Sequence, residues 1–133
     1  MSTSKTYDLR VVTEFSSAHV LRGYAGACER VHGHNFRVEV MVRATALDDL
    51  GMGLDFRELL EMTEELTAGL DHRLLNDVPP FDEVNPTAEN IAAYIYRGLA
   101  QRLGTLPSAE RVRMESVTVH ENDRISACYR EHA

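Results

Sequence analysis

The sequence predicts an α+β fold in which a four-stranded antiparallel sheet carries two helices on one face. Three observations lead to this prediction. Strand-like segments lie toward both ends of the chain, two helical segments lie between them, and strands and helices do not alternate. The 133 residues contain no internal repeat, low-complexity tract or long linker. We therefore expect a single domain over residues 1–133.

The first two strands are predicted from composition and alternation. Residues 7–20 are rich in Val, Thr and Phe, and residues 33–44 alternate between apolar and more polar side chains. A glycine-containing loop, residues 21–31, separates them. Pairing across this loop gives an antiparallel hairpin with one packed face.

The two helices are predicted from their capping residues and apolar spacing. Asp55 is a candidate N-cap for a helix that ends near Gly69, and Thr87 caps a second helix that ends near Gly104. The apolar positions have helical spacing and are Phe56, Leu59, Leu60, Thr63 and Leu66, then Ile91, Tyr94, Ile95, Leu99 and Leu103. Residues 71–86, which contain three prolines, are predicted to be irregular.

Residues 111–129 supply the last strands. Their buried parity changes between Met114 and Val117, which predicts a β-bulge near Glu115 and Ser116. The helix-free face and the edges of such a sheet would be exposed in a single subunit. We therefore expect subunits to associate into an oligomer.

The composition excludes several classes of function. The chain has 14 Lys+Arg and 21 Asp+Glu, a net charge of −7, and Lys5 is its only lysine. A duplex-binding protein needs clustered cations, so no nucleic-acid partner is expected. No segment approaches the roughly 20 apolar residues of a membrane span. With only two cysteines, no disulfide framework is expected, and we predict a reducing, cytoplasmic location.

Three histidines are predicted to converge on a metal ion. His32 and His34 are two residues apart and share one face of a strand, and His19 ends the preceding strand. Three imidazoles without a fourth protein ligand are typical of catalytic zinc, which keeps an open position. The alternative is a set of polar strand-end histidines in water. His120 and His132 are assigned no metal role.

Further residues are candidates for proton transfer or ligand binding. Cys28 lies in the loop, where a thiol near a metal can act as base or nucleophile, or else it is a small buried hydrophobe. Cys128 is predicted to lie in the core. Asp71 can orient His72, although both residues are also common in helix-end turns. Glu121 is predicted on the packed face, where it would bind a guanidine-like edge; otherwise it is a surface glutamate.

Taken in order, these motifs resemble the 6-pyruvoyl-tetrahydropterin synthase and 6-carboxytetrahydropterin synthase family over nearly the whole chain. The matching segments are Phe15-Ser16-Ser17-Ala18-His19, Cys28-Glu29-Arg30-Val31-His32-Gly33-His34, Gly51-Met52-Gly53-Leu54-Asp55-Phe56, Leu70-Asp71-His72-Arg73-Leu74-Leu75-Asn76, Asn85-Pro86-Thr87-Ala88-Glu89-Asn90 and Val117-Thr118-Val119-His120-Glu121. The resemblance implies a tunnelling fold whose subunits close into an oligomeric barrel. It further implies a homohexamer, a dimer of trimers, with active sites at subunit interfaces.

The resemblance also implies site roles. The implied Zn²⁺ ligands are His19, His32 and His34. The implied catalytic residues are the proton-abstracting Cys28, the relay pair Asp71 and His72, and the pterin-anchoring Glu121. The implied substrate-binding residues are Glu121 and Thr87. The implied substrate is the small molecule 7,8-dihydroneopterin triphosphate.

Three products stay open. The spacing Cys-x-x-x-His-Gly-His is similar to the bacterial branch, which forms 6-carboxytetrahydropterin, acetaldehyde and triphosphate on the way to queuosine. Without carbon–carbon cleavage the product is 6-pyruvoyl-tetrahydropterin. Glu29 directly follows Cys28, and a family branch with glutamate there forms 6-hydroxymethyl-dihydropterin for folate; otherwise Glu29 is a loop carboxylate.

Two further alternatives concern the pocket and the class of function. Asn122 follows Glu121, where family members often have threonine, so this part of the pocket departs from the family pattern. The rival from another class is a binding module that keeps the fold, with or without zinc, but has no turnover.

Overall fold

The elements follow the predicted order β-β-α-α-β-β. The computed structural model describes residues 3–24 and 30–132. Its elements are β1 (Tyr7–His19), β2 (His32–Ala44), α1 (Phe56–Ala68), a short 3-10 helix (Leu75–Asp77), α2 (Ala88–Leu103), β3 (Val112–Asn122) and β4 (Ile125–Tyr129). The N-caps Asp55 and Thr87 each accept a backbone N–H with their side chains, as predicted.

The four strands form one antiparallel sheet in the order β1-β2-β3-β4. The register of β1 against β2 is continuous from the pair Tyr7 and Ala44 to the pair His19 and His32. Both helices lie in the connection between β2 and β3 and pack against one face of the sheet. The predicted sheet with two helices on one face is confirmed.

The core lies between that face and the helices. The inward residues of the central strand β2 are fully buried because both neighbouring strands and the helices cover them. These residues are Phe36, Val38, Val40, Val42 and Ala44. The helices contribute Leu59, Ile91, Ile95 and Leu99, which are equally buried.

The predicted β-bulge is confirmed. Met41 pairs with Ser116, but the next residue, Val42, pairs with Met114, so Glu115 is the extra residue on β3. This insertion explains why the buried parity changes along the strand.

One prediction of burial, that of Cys128, is wrong. Phe56 has the helical spacing of the apolar positions but is 57% exposed because it is the first residue of α1, and helical spacing defines a face without defining where the core ends. Cys128 is exposed on β4. Its neighbours Ala127 and Tyr129 pack against the core instead, and alternate strand residues face opposite sides.

Phe36→Ala should lower the free energy of unfolding by about 3–5 kcal/mol, since it empties a fully buried site. The lost ring also stacks on Phe15, with centroids 4.9 Å apart. Phe56→Ala removes the same ring from an exposed site and should change stability by less than about 0.5 kcal/mol. Urea denaturation of both variants measures the difference. Equal losses would contradict the assigned core.

Candidate metal centre

Three histidine rings meet where β1 ends and β2 begins. His19 is paired directly with His32 in the strand register, and His34 lies two residues further along β2 on the same face. The ring centroids are 4.5 to 5.1 Å apart. One ligand atom of each ring lies within 4.8 Å of the other two. We call His19, His32 and His34 the histidine cluster.

Backbone carbonyls fix the orientation of two of these rings. His19 Nδ1 donates to the carbonyl of Pro86 and His32 Nδ1 donates to that of Arg30, each over 2.7 Å. In these neutral tautomers each Nε2 carries a lone pair, and the two Nε2 atoms face each other at 2.9 Å. Two lone pairs at this distance repel unless a cation lies beside both.

Burial keeps His19 and His34 in the form that binds metals. Burial lowers the pKa of His19, against the opposing effect of the hydrogen bond to Pro86. Burial also lowers the pKa of His34, against the opposing charge of Glu121. Both rings are therefore neutral at pH 7, and neutral imidazole is the ligand form.

His34 supplies a further sign that these residues fit a metal ion. Its Nε2 atom is buried and has no hydrogen-bond partner among the described residues. The nearest carboxylate oxygen, Glu121 Oε2, is 3.6 Å away, which is too long for a hydrogen bond. A buried, unpartnered nitrogen beside two facing lone pairs fits a divalent metal that prefers nitrogen ligands.

The ring of Phe36 packs against the histidine cluster from the core side. The ring of Phe36 lies edge-on to His19 and His34, with centroid distances of 5.6 and 5.2 Å. Since Phe36 is fully buried, it restricts the rotamers that the two imidazoles can adopt.

His72, which is paired with Asp71, and His34 line a common cleft. The cleft has a volume of about 580 Å³, and both His34 and His72 line it. Asp71 accepts the Ser16 N–H at 2.8 Å with one oxygen and pairs with His72 Nδ1 at 2.9 Å with the other. His72 has a φ of +54°, a region that non-glycine residues rarely adopt, and its N–H donates to the Ser16 carbonyl.

These contacts determine the chemistry of the pair. The N–H of Ser16 and the ring of His72 hold the pKa of the Asp71 carboxyl below its usual value. The imidazole is 82% exposed, so its Nε2 is accessible to a ligand in the cleft while Nδ1 stays bound to the carboxylate. This arrangement suits a proton relay.

Glu121 and Thr87 approach the site from the other side. The register of β3 against β4 shifts between His120 and Asn122, so Glu121 is left without a partner on β4. It lies near His34, on the packed face as predicted. The Thr87 hydroxyl accepts the Asn90 N–H as the N-cap of α2, next to the residue whose carbonyl holds His19.

Not every candidate residue lies in this region or within the described residues. Cys28 and Glu29 fall outside the described residues. His120 lies on the opposite face of the sheet, 3.1 Å from Glu39 Oε1, consistent with its having no metal role. The carbonyls of Pro86 and Arg30 were not predicted, because every residue has a carbonyl and the sequence gives no sign of which ones bind a ring.

Comparisons with known proteins agree with this geometry. The family model for 6-pyruvoyl tetrahydropterin synthase matches residues 8–132. The 6-carboxy-5,6,7,8-tetrahydropterin synthase of Bacillus subtilis is 36% identical over 106 residues, which cover 76% of this chain and 70% of the relative. The 6-pyruvoyl tetrahydrobiopterin synthase of Poecilia reticulata is 37% identical over 102 residues, with 74% and 65% covered.

A solved structure shows the same fold. The 6-pyruvoyl tetrahydropterin synthase of Caenorhabditis elegans superposes with a TM-score of 0.82 at 27% sequence identity. The superposition covers 99% of this chain and 100% of that one. Separately, within residues 3–24 and 30–132, no helix has both the length and the apolar character needed to cross a membrane.

Asp71→Asn should destabilise the metal-free protein at pH 7 and have a smaller effect near pH 3. A carboxyl whose pKa is lowered by folding stabilises the native state above its ordinary pKa of about 3.9. That contribution is lost as the pH falls through the lowered pKa. Urea midpoints at both pH values, measured with chelator present, report the effect. The exposed control Asp49→Asn should change little, and an Asp71→Asn effect that does not vary with pH would refute the assignment.

Proposed function

We propose a specific reaction for this chain, which belongs to the 6-pyruvoyl tetrahydropterin synthase family and is an enzyme, a lyase of the pterin synthase type. We propose that it converts 7,8-dihydroneopterin triphosphate to 6-carboxy-5,6,7,8-tetrahydropterin, acetaldehyde and triphosphate, a step toward queuosine. The observation that carries the proposal is the convergence of three imidazole nitrogens, from His19, His32 and His34, the last of which also lines an open cleft. The relative from Bacillus subtilis and the spacing from Cys28 to His32 support the 6-carboxy product.

We assign Zn²⁺ to the histidine cluster. Its three ligands are neutral nitrogens, whereas magnesium and calcium prefer oxygen. Zinc held there by three protein ligands supplies an open position that polarises the substrate's side-chain hydroxyls. The hydrogen bonds from His19 to Pro86 and from His32 to Arg30 support this assignment, because ligand histidines usually donate their second nitrogen to such an acceptor.

We propose that proton transfer is divided between two groups. Cys28, as a thiolate, takes a proton from the substrate side chain, since a thiol close to a cationic centre ionises readily. His72 exchanges a second proton at Nε2, while Asp71 holds Nδ1 and stabilises the imidazolium.

We propose that Glu121 anchors the pterin. Its carboxylate can accept two parallel N–H groups from the guanidine-like edge of the ring. The proposal is supported by the position of Glu121, whose Oε2 lies 3.6 Å from His34 Nε2 in the histidine cluster. Thr87 lies at the adjoining end of α2 and is the second substrate-binding residue.

One sequence feature favours a second product. Glu29 directly follows Cys28, so a carboxylate and a thiol compete for the role of base. With Glu29 as base, the reaction would give 6-hydroxymethyl-dihydropterin. If Cys28 acts and the side-chain carbon–carbon bond is kept, the product is 6-pyruvoyl-tetrahydropterin.

We also propose that the active unit is a homohexamer, a dimer of trimers with sites at the interfaces. In the subunit, β1 and β4 are the edge strands of the sheet. Barrel closure between subunits would pair these edges, which otherwise invite non-specific association.

His32→Ala should abolish tight zinc binding, because it removes one of three ligands. The wild-type chain is expected to retain one equivalent of zinc after loading and desalting, and Co²⁺ substitution should give the visible spectrum of a tetrahedral nitrogen site. The control His132→Ala removes an exposed imidazole and should retain the metal. Zinc retained stoichiometrically by His32→Ala would exclude the site.

The mass of the product formed from 7,8-dihydroneopterin triphosphate tests the activity. We expect 6-carboxytetrahydropterin with acetaldehyde and triphosphate from the wild type and from Glu29→Gln. Cys28→Ala should lose turnover but keep zinc, and the matched control Cys128→Ala, at an exposed cysteine, should keep both. Turnover that survives in Cys28→Ala and disappears in Glu29→Gln would establish the folate-type reaction instead. No product from the zinc-loaded wild type would leave only a binding module.

A further inference from the structure

The cleft that His34 and His72 line is suited to an anion. We call this cleft, of about 580 Å³, the His72 cleft. Among the described residues that line it, none is an aspartate or a glutamate, whereas one is an arginine, Arg73. This is unusual in a chain of net charge −7. A negatively charged ligand would therefore meet a guanidinium and two imidazoles there, without a carboxylate in the lining to repel it.

A second cavity with the opposite charge also borders His34. It has a volume of about 420 Å³, and we call it the Glu121 cavity. The carboxylates that line it are Glu14, Glu121 and Asp123. Its guanidinium, that of Arg37, lies 3.5 Å from Glu39 Oε1, so its charge is already compensated. The Glu121 cavity is thus suited to a ligand group that donates N–H bonds.

Arg73 is the cation that the His72 cleft offers to a ligand. It is exposed, and its guanidinium has no hydrogen-bond or ion-pair partner within residues 3–24 and 30–132. Two other arginines lie close in sequence to the histidine cluster. The guanidinium of Arg22 donates to the Phe81 carbonyl at 2.8 Å, and Arg30 is exposed but lines neither cavity.

The backbone of Arg73 is fixed against the end of β1. The Arg73 carbonyl accepts the Ala18 N–H at 2.9 Å, and the Arg73 N–H donates to Ser17 Oγ at 3.2 Å. The next residue, Leu74, forms a parallel bridge with Ala18. A rigid strand therefore positions the base of a side chain whose charged end is free, which is a common arrangement for binding residues.

We infer that Arg73 binds the triphosphate group of the substrate in the His72 cleft, while the pterin ring occupies the Glu121 cavity. The inference rests on the proposed function. His34 borders both cavities, so the side chain that joins the ring to the triphosphate would pass the histidine cluster. A guanidinium can donate two parallel N–H bonds to phosphate oxygens, and it stays charged at every relevant pH.

The test is a calorimetric titration of the full-length, zinc-loaded chain with inorganic triphosphate. Arg73→Ala should raise the Kd by about 10- to 100-fold, because hydrogen bonds to a charged group are lost. Arg73→Lys keeps the charge but not the planar pair of donors, so its Kd should lie between those of Arg73→Ala and the wild type. Zinc content, measured before and after the titration, should not change in either variant.

A second ligand separates recognition of the triphosphate from general damage to the site. The compound 7,8-dihydroneopterin is the substrate without its triphosphate. Its Kd should stay within about twofold in Arg73→Ala, because it lacks the group that Arg73 binds. In turnover assays, the KM of the triphosphate substrate should rise in the same variant.

Arg57→Ala is the matched control. It also removes an exposed guanidinium, whose side chain is 88% accessible, but it does so in the first turn of α1 and in neither cavity. Its Kd for inorganic triphosphate should match that of the wild type. Arg22→Ala and Arg30→Ala should also bind triphosphate with nearly wild-type affinity.

An unchanged Kd for triphosphate in Arg73→Ala would overturn the inference. So would an equal loss of affinity for 7,8-dihydroneopterin, or a loss of triphosphate affinity confined to Arg22→Ala or Arg30→Ala. If the zinc-loaded wild type forms no product, the proposed function fails. The titration with inorganic triphosphate still decides in that case whether Arg73 binds a phosphate chain.

Discussion

The register of β1 against β2 is the constraint on which the candidate site depends. It places His19 opposite His32 and Phe15 opposite Phe36. Because side chains alternate between faces, a slip of one residue would turn His19 away from the other two imidazoles. The same slip would remove Phe15 from the core, where it stacks on Phe36. Burial of two aromatic rings thus fixes the register that brings the three histidines of the cluster together.

The segment between the two helices provides hydrogen-bond partners for backbone groups of the first strand and the residues after it that do not pair with β2. Backbone and side-chain groups of residues 71–85 pair with β1 from Ser16 onward, so the edge strand does not leave buried N–H groups without partners near the site. The cost appears at His72, whose positive φ is unfavourable for a residue with a side chain. This backbone is held by the bond from its N–H to the Ser16 carbonyl and by the 2.9 Å contact between His72 Nδ1 and Asp71 Oδ2.

The fold could be predicted from alternation and helix capping. The contacts between residues that are distant in sequence could not. The parity of β2, the bulge beside Ser116 and the N-caps follow from local patterns and agree with the structure. Phe56 and Cys128 show where local patterns fail, since a period identifies a face but not its extent or which of two faces is covered. Residues 71–86 have no period, and Asn76 lies 56 residues from the backbone that it binds. Only the chemistry of the side chain indicated such a contact. An asparagine amide can both donate and accept, so an asparagine in an irregular segment is suited to pair with backbone.

The fold and the strand register at the site do not determine the product by themselves. Relatives named for 6-carboxy and for 6-pyruvoyl products are equally similar to this chain, and a solved 6-pyruvoyl tetrahydropterin synthase superposes over nearly all of it. A strand register that brings three histidines together is therefore compatible with either outcome. What distinguishes the reactions is whether a carbon–carbon bond breaks, and that depends on which base reaches which proton. In this chain the two candidate bases, Cys28 and Glu29, are adjacent in sequence. Which of the two acts can then select the reaction without any change in the sheet, because proton transfer is sensitive to placement on the scale of a single hydrogen bond.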